Sequence, residues 1–248
     1  MFSGLLCERK IRVLRYGIAV GLLSLMIGLT GRQAHAEGSS ALGGSLLEQG
    51  EVAITFGGGF PDALVQFDFA NSKRVNLAMR ARINYNFGFP FFGFNIFASA
   101  PLRINVMPIS KSKLQVAVTL EPGAFIGGGA LYGLHLGFLI GAGALVSYQI
   151  NNKWNIYGGL ELQFHIGFEP DAGSAFNPSG IIRPVVGFNL PIEAVFGAEY
   201  KLNESYSLFA RIAIGPMIYA GNMGAVFNPT GTAVHGSGRL WVGAVWRR

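Results

Sequence analysis

Hydrophobic and polar residues alternate with a period of two along most of this chain. Between positions 75 and 87 the odd residues are all apolar or aromatic, whereas the even ones include Asn76, Arg80, Arg82 and Asn84. Between positions 154 and 168 the even face is apolar or glycine, and the odd face holds polar side chains such as Glu161. Successive side chains of a β-strand point to opposite faces, so this period predicts strands with one apolar and one polar face.

The segment from 123 to 146 is the best candidate for a membrane helix. Its 24 residues include a single ionisable side chain, His135, and glycines at 133, 137 and 141 imitate the GxxxG helix-packing motif. Seven of its glycines nevertheless fall on odd positions, while the even positions from 132 to 150 are all apolar or aromatic. The alternation therefore favours strands over a helix here as well.

The same alternation predicts ten strands along the chain. They span about 51–58, 63–70, 74–87, 91–107, 113–126, 131–150, 154–168, 181–200, 205–220 and 237–247. Every second connection is short and polar with a lysine, as at 151–153, whereas the last two of the others are long, at 169–180 and 221–236. Such asymmetry is typical of outer-membrane barrels. The sequence therefore predicts an all-β fold, a closed antiparallel transmembrane barrel of about ten strands, or of eight if the two short first strands merge or are lost.

Composition agrees with a membrane body once the first 36 residues are set apart. The chain is 13% charged and has 36 glycines, about half the charge and twice the glycine of an average soluble domain. Basic residues between 9 and 15, an apolar run from 17 to 30 and Ala34-His35-Ala36 predict a secretory signal peptide over 1–36 that is cleaved near Ala36. Its removal takes away Cys7, the only cysteine, and leaves a net charge of +2. We therefore expect no disulfide and no nucleic-acid partner.

In these features residues 51–248 resemble the small outer-membrane β-barrel proteins of Gram-negative bacteria. Residues 240–246, Leu-Trp-Val-Gly-Ala-Val-Trp, are similar to the aromatic last strand that the assembly machinery recognises in that class, although this chain continues with Arg247 and Arg248. The resemblance implies that the short turns and a Gly- and Ser-rich tail over 37–50 lie in the periplasm, and that the long connections lie at the cell surface. It also implies outer-membrane lipids and the assembly machinery as partners. The sequence leaves the oligomeric state open, and a monomer is the favoured expectation.

The polar face of the strands is expected to send charged side chains into the lumen. Six acids and six bases fall on it: Glu51, Asp68, Glu121, Glu161, Glu193 and Glu199 against Arg80, Arg82, Arg103, Lys113, Arg211 and Arg239. Charges in a low-dielectric interior must be paired, so we interpret them as an ion-pair network that fills a narrow barrel. A hairpin centred on position 152 places glycines 143 and 141 opposite residues 161 and 163, and residue 139 opposite 165. The space beside these glycines would hold the large polar side chains opposite them, and the alternative is a narrow passage there.

Candidate catalytic residues are few. Glu161 and His165 share a strand face but lie ~13 Å apart along it, and His135 lies on the preceding strand. The chain has no HExxH, Walker-type or GxSxG motif. The three histidines beyond the signal peptide, at 135, 165 and 235, are scattered over a hundred residues, so neither a metal nor a cofactor is expected.

These features favour a non-enzymatic outer-membrane barrel with a structural or surface-interaction role and at most a narrow pore. The alternative is a lipid-modifying enzyme, an acyl hydrolase or acyltransferase, that uses His165 or His135 with a lumen carboxylate. A porin for small solutes comes third, because a barrel of ten strands is narrow.

Overall fold

Antiparallel strands close into a barrel in the computed structural model, which describes residues 40–85, 94–107, 113–128, 134–169, 185–221 and 233–248. The strands are β1 (Val52–Phe60), β2 (Asp62–Ser72), β3 (Val75–Asn84), β4 (Phe94–Ser99), β5 (Leu102–Asn105), β6 (Leu114–Gly128), β7 (His135–Gln149), β8 (Trp154–Glu169), β9 (Val185–Lys201), β10 (Tyr206–Gly221) and β11 (Ala233–Arg247). Neighbouring barrel strands pair along the chain, and β1 pairs with β11 to close the sheet.

The segments β4 and β5 are two halves of one barrel strand, which makes the number of barrel strands ten. Both halves pair with β3 and β6 in an unchanged register. Pro101 separates them because proline has no N–H to donate to the sheet. The ladder continues around it, since Ala78 N donates to the Pro101 carbonyl at 2.8 Å and Ala100 N donates to the Pro122 carbonyl at 2.9 Å.

The outer wall of the barrel is apolar and exposed. Along β7 the exposed fraction is 67% at Phe138, 1% at Leu139 and 63% at Ile140. Successive side chains therefore point alternately to the outside and to the lumen, and large apolar ones such as Phe138 point outward. An apolar surface of this extent belongs in the hydrocarbon region of a bilayer. The predicted all-β transmembrane barrel of about ten strands is confirmed.

No helix among the described residues is long and apolar enough to span a membrane. The segment from 123 to 146 instead contributes to β6 and β7, as its alternation predicts. The predicted hairpin register is also confirmed: Gly143 lies opposite Glu161, Gly141 opposite Gln163, and Leu139 opposite His165.

Short turns at one end of the barrel are held by asparagine side chains. The Asn151 side-chain oxygen accepts hydrogen bonds from the backbone N–H groups of Lys153 and Trp154, both at 2.9 Å, and Asn203 accepts equivalent bonds two and three residues further on. Such Asx turns explain why these polar connections can be so short. We call this end the short-turn end.

The prediction of a loop over 221–236 is wrong at both ends, since β10 includes Gly221 and β11 begins at Ala233. Gly236 and Gly238 occupy outward positions of this strand, so the apolar face that marks the other strands is missing there. Pairing with β10 nevertheless extends to Ala233, which lies opposite Tyr219. The predicted signal peptide and the loop positions 170–180 lie outside the described residues.

A charge on the outer wall should destabilise the barrel in a position-dependent way. Leu160 is half exposed and lies midway along β8. Leu160→Arg should lower the free energy of unfolding in phospholipid vesicles by about 2–4 kcal/mol, because the guanidinium faces hydrocarbon. Leu202→Arg, at an equally exposed position in a short turn, should cost at most about 1 kcal/mol. Equal losses in the two variants, measured by equilibrium urea unfolding, would contradict this membrane placement.

Candidate functional site

The barrel interior has three levels along its axis. At the short-turn end, residues 40–47, which we call the inner segment, are mostly buried inside the barrel. A band of paired charges crosses the middle. A cavity of about 600 Å³ lies at the opposite end, lined by residues near the far ends of the strands.

The inner segment differs from the exposed tail that the sequence analysis expected over 37–50. Ser40 and Ala41 are fully buried, and Leu42 and Leu47 are 2% exposed. Their apolar neighbours form one buried cluster with them, which includes Leu145, Tyr157, Val195, Phe209, Trp241 and Val245. The two leucines supply the apolar volume that the small inward side chains of this end leave open.

An arginine from the wall holds the inner segment. The Arg103 guanidinium donates to the carbonyl oxygens of Ser40 at 3.1 Å and Gly43 at 3.2 Å, and its other nitrogen pairs with Asp68 at 3.0 Å. The Ser40 hydroxyl donates in turn to Glu199 at 2.9 Å. These contacts satisfy backbone groups that would otherwise be buried without partners.

A serine and two glycines fix the path of the same segment. The Ser147 hydroxyl oxygen accepts hydrogen bonds from the backbone N–H groups of Gly44 at 2.6 Å and Ser45 at 3.1 Å. A Cβ on Gly44 would lie 2.4 Å from the Leu145 carbonyl oxygen, so only glycine fits there. Gly50 has a φ of 85°, the left-handed conformation in which the chain turns from this segment into β1.

One half of the charged band lies between β3 and β6. Arg80 pairs with Glu121 at 2.8 Å and also donates to Gln66 at 2.6 Å. The Ser99 hydroxyl donates to the other oxygen of Glu121 at 2.7 Å. Each charged group therefore has a charge-assisted hydrogen bond and a second polar neighbour.

The other half of the band joins β8 to β11. Arg211 pairs with Glu161 at 2.5 Å, and Arg239 pairs with Glu193 while lying 3.7 Å from Glu161. The indole ring of Trp241 lies 5.1 Å from each of these two arginines, within cation–π distance.

Sequence reasoning placed the charged side chains largely by the parity of their positions. The structure puts the following nine inside the barrel: Asp68, Arg80, Arg82, Arg103, Glu121, Glu161, Glu193, Arg211 and Arg239. Lys113 is exposed before β6 begins, so its prediction as a lumen residue is wrong. Asp62 and Arg247, which the sequence analysis did not include, are each 1% exposed inside the lumen.

The alternation along β11 could have identified Arg247 as a lumen residue, because Arg247 continues the series of inward odd positions that includes Arg239 and Trp241. Arg247 pairs with Glu199, lies 3.8 Å from Glu51 and donates to Ser207 at 2.5 Å. It therefore crosses the seam at which the first and last strands meet. Its position next to the end of the chain concealed this role.

The candidate catalytic residues do not form a catalytic pair. Glu161 is bound by Arg211. His165 Nδ1 lies 2.5 Å from Asn189 Oδ1, and His135 Nε2 lies 2.6 Å from the side-chain oxygen of Asn95. The acid–base pair that the enzyme alternative requires is thus not assembled. Among the described residues there is no cluster of three or more His, Cys, Asp or Glu side chains that could hold a metal ion.

Comparisons with known proteins give remote likenesses to solved structures. No protein-family model matches the chain, and no curated protein matches it significantly. A solved structure described as the NanC porin in a rhombohedral crystal form is 8% identical, with a TM-score of 0.29 over 80% of this chain and 98% of the porin chain. A chain from a study of the in-meso crystallisation of membrane proteins is 13% identical, with a TM-score of 0.25 over 80% of this chain and 83% of its own. Likeness at this level identifies neither a family nor a ligand.

Removing one member of a lumen ion pair should destabilise the barrel strongly. Arg80→Met leaves Glu121 buried without its cation and should lower the free energy of unfolding by about 3–5 kcal/mol. The double variant Arg80→Met, Glu121→Gln should lose less than the single variant, because no uncompensated charge remains. Arg74→Met, which removes an exposed turn arginine, should change stability by less than about 0.5 kcal/mol. If Arg80→Met behaves like Arg74→Met in urea unfolding, the pair is solvated and not structural.

Proposed function

We propose that this chain is an integral outer-membrane β-barrel protein with a structural or surface-interaction role and no continuous pore. The observation that carries the proposal is the filled interior. Lumen side chains at the short-turn end, among them Thr55, Ser147 and Val195, have no exposed area beneath the inner segment. A water-filled channel would leave such side chains exposed, as wide porins of sixteen or more strands do.

The proposed location follows from the sequence and from the outer wall. A signal peptide cleaved near Ala36 would export the chain, and the apolar wall would then hold it in the outer membrane. The short turns and both termini of the barrel would face the periplasm, and the longer connections the cell surface. Outer-membrane lipids would contact the wall, and residues 240–246 would be the segment that the assembly machinery recognises. We propose a monomer.

Electrical recording on the purified mature protein tests whether a pore exists. In planar bilayers the intact barrel should give no stable conductance steps, because the inner segment and the charged band fill its lumen. A variant that lacks residues 37–47 should show small steps, since one of the two barriers is gone. The exposed-turn variant Leu202→Arg serves as a control for insertion. Large, stable steps from the intact barrel would show a continuous channel and overturn the proposal.

A further inference from the structure

The cavity at the end opposite the inner segment has features of a ligand site. Its volume of about 600 Å³ lies within the ~300–1,000 Å³ of typical small-molecule sites. Its inward walls include Phe97, Phe125, Met217 and Tyr219. Phe125 and Met217 are only partly buried although they point into the lumen. The wall of this cavity therefore has apolar surface that the rest of the described barrel leaves partly uncovered.

The floor of the cavity contains two acids that face donor groups of the wall. Glu193 accepts hydrogen bonds from Ser237 and Arg239, and Asp62 accepts one from the Trp241 indole N–H. Glu193 therefore has both oxygens engaged and little capacity left for a ligand cation, and the second oxygen of Asp62 lies 3.9 Å from the positive charge of Arg82. The floor consequently does not favour a positively charged ligand.

Arg82, at the same floor, is weakly paired compared with the other arginines of the described lumen. Its nearest carboxylate oxygen, on Asp62, is 3.9 Å away, and its hydrogen bond to Gln163 is 3.3 Å long. Charge-assisted hydrogen bonds between arginine and carboxylate are normally about 2.7–2.9 Å long. Arg82 Nε has no hydrogen-bond partner among the residues that the structure describes, although the side chain is 3% exposed. A buried guanidinium in this state can gain a stronger anionic partner.

His165 brings a second unused polar atom to the same place. Its Nδ1 is taken by Asn189, whereas its Nε2 has no partner within the described part of the chain. The Arg82 guanidinium lies 4.8 Å from the centre of the Phe97 ring, and the His165 ring centre lies 5.7 Å from it. Both polar groups thus lie beside the same aromatic ring of the cavity.

We propose that this cavity binds a small amphipathic carboxylate. The carboxylate pairs with Arg82, and the aromatic or aliphatic body of the ligand lies against Phe97, Phe125 and Met217. Burial away from water strengthens the polar contacts and makes the apolar contacts favourable. The inference is independent of the proposed absence of a pore, because a blind cavity and a channel vestibule could both hold such a ligand.

Calorimetric titration of the mature barrel in non-ionic micelles tests the proposal with defined probes. 4-Phenylbutyrate and octanoate are each compared with their neutral amides, which partition into micelles but carry no anion. At least one acid should bind saturably and about ten- to a hundredfold more tightly than its amide, since a hydrogen bond to a charged group is worth 1.5–3 kcal/mol. Arg82→Gln should remove this preference. Lys153→Gln, which removes a lysine in a short turn at the far end, should leave it unchanged.

A second variant keeps the test decisive if Arg82→Gln does not fold. Met217→Trp places a larger ring against the ligand's apolar body and leaves every described ion pair in place, so it should weaken binding of acid and amide alike. Equal affinities for acid and amide, no saturable binding of either acid, or binding that Met217→Trp leaves unchanged would each overturn the proposal. Conductance of the intact barrel has no bearing on these outcomes, so the two proposals fail separately.

Discussion

The structure depends on one requirement, that charges buried in a narrow lumen find partners on other strands. Most of the ion pairs skip one barrel strand, because the concave inner surface brings alternate strands within reach. These pairs are Arg80 with Glu121, Arg103 with Asp68, Arg211 with Glu161, Arg239 with Glu193, and Arg247 with Glu199. Each pair adds a link that the backbone ladder between neighbours does not provide. The hydrogen bond from Arg82 to Gln163 extends such links across the lumen, from β3 to β8.

The inner segment belongs to the same arrangement. Arg103 neutralises Asp68 and also holds two carbonyl oxygens of the segment, and Glu199 binds both Arg247 and the Ser40 hydroxyl. Without the segment, Arg103 and Glu199 would each lose hydrogen bonds that the wall alone does not provide. Small inward residues of the wall, such as Ser147, leave space for the inner segment. The same contacts therefore fill the lumen and pair its charges. The polar groups are gathered inside the barrel, and its outer wall can be apolar and contact lipid.

Much of the wall could be predicted from the sequence because its signal is local. The period of two assigns each residue to lipid or lumen, and the short polar turn at 151–153 fixes the register that places Gly143 opposite Glu161. The inner segment could not be predicted in this way, since a Gly- and Ser-rich stretch has no periodicity and its partners, such as Arg103 and Ser147, are distant in the sequence. Which acid pairs with which base was equally hidden, because it depends on the curvature of the closed barrel. Arg82 and His165 could be placed in the lumen, but not their convergence on Phe97.

The central claim is that the inner segment is a folded part of the lumen, and amide hydrogen exchange tests it most directly. The backbone N–H groups of Gly43, Gly44 and Ser45 are hydrogen-bonded to the Ser40 and Ser147 hydroxyl oxygens. In the refolded mature barrel these amides should exchange slowly, on the timescale of amides in the middle of β7 and β8, since exchange requires opening of the packed interior. Exchange as fast as in an unstructured peptide, with the strand amides still protected, would show that the segment lies outside the barrel and would contradict the account.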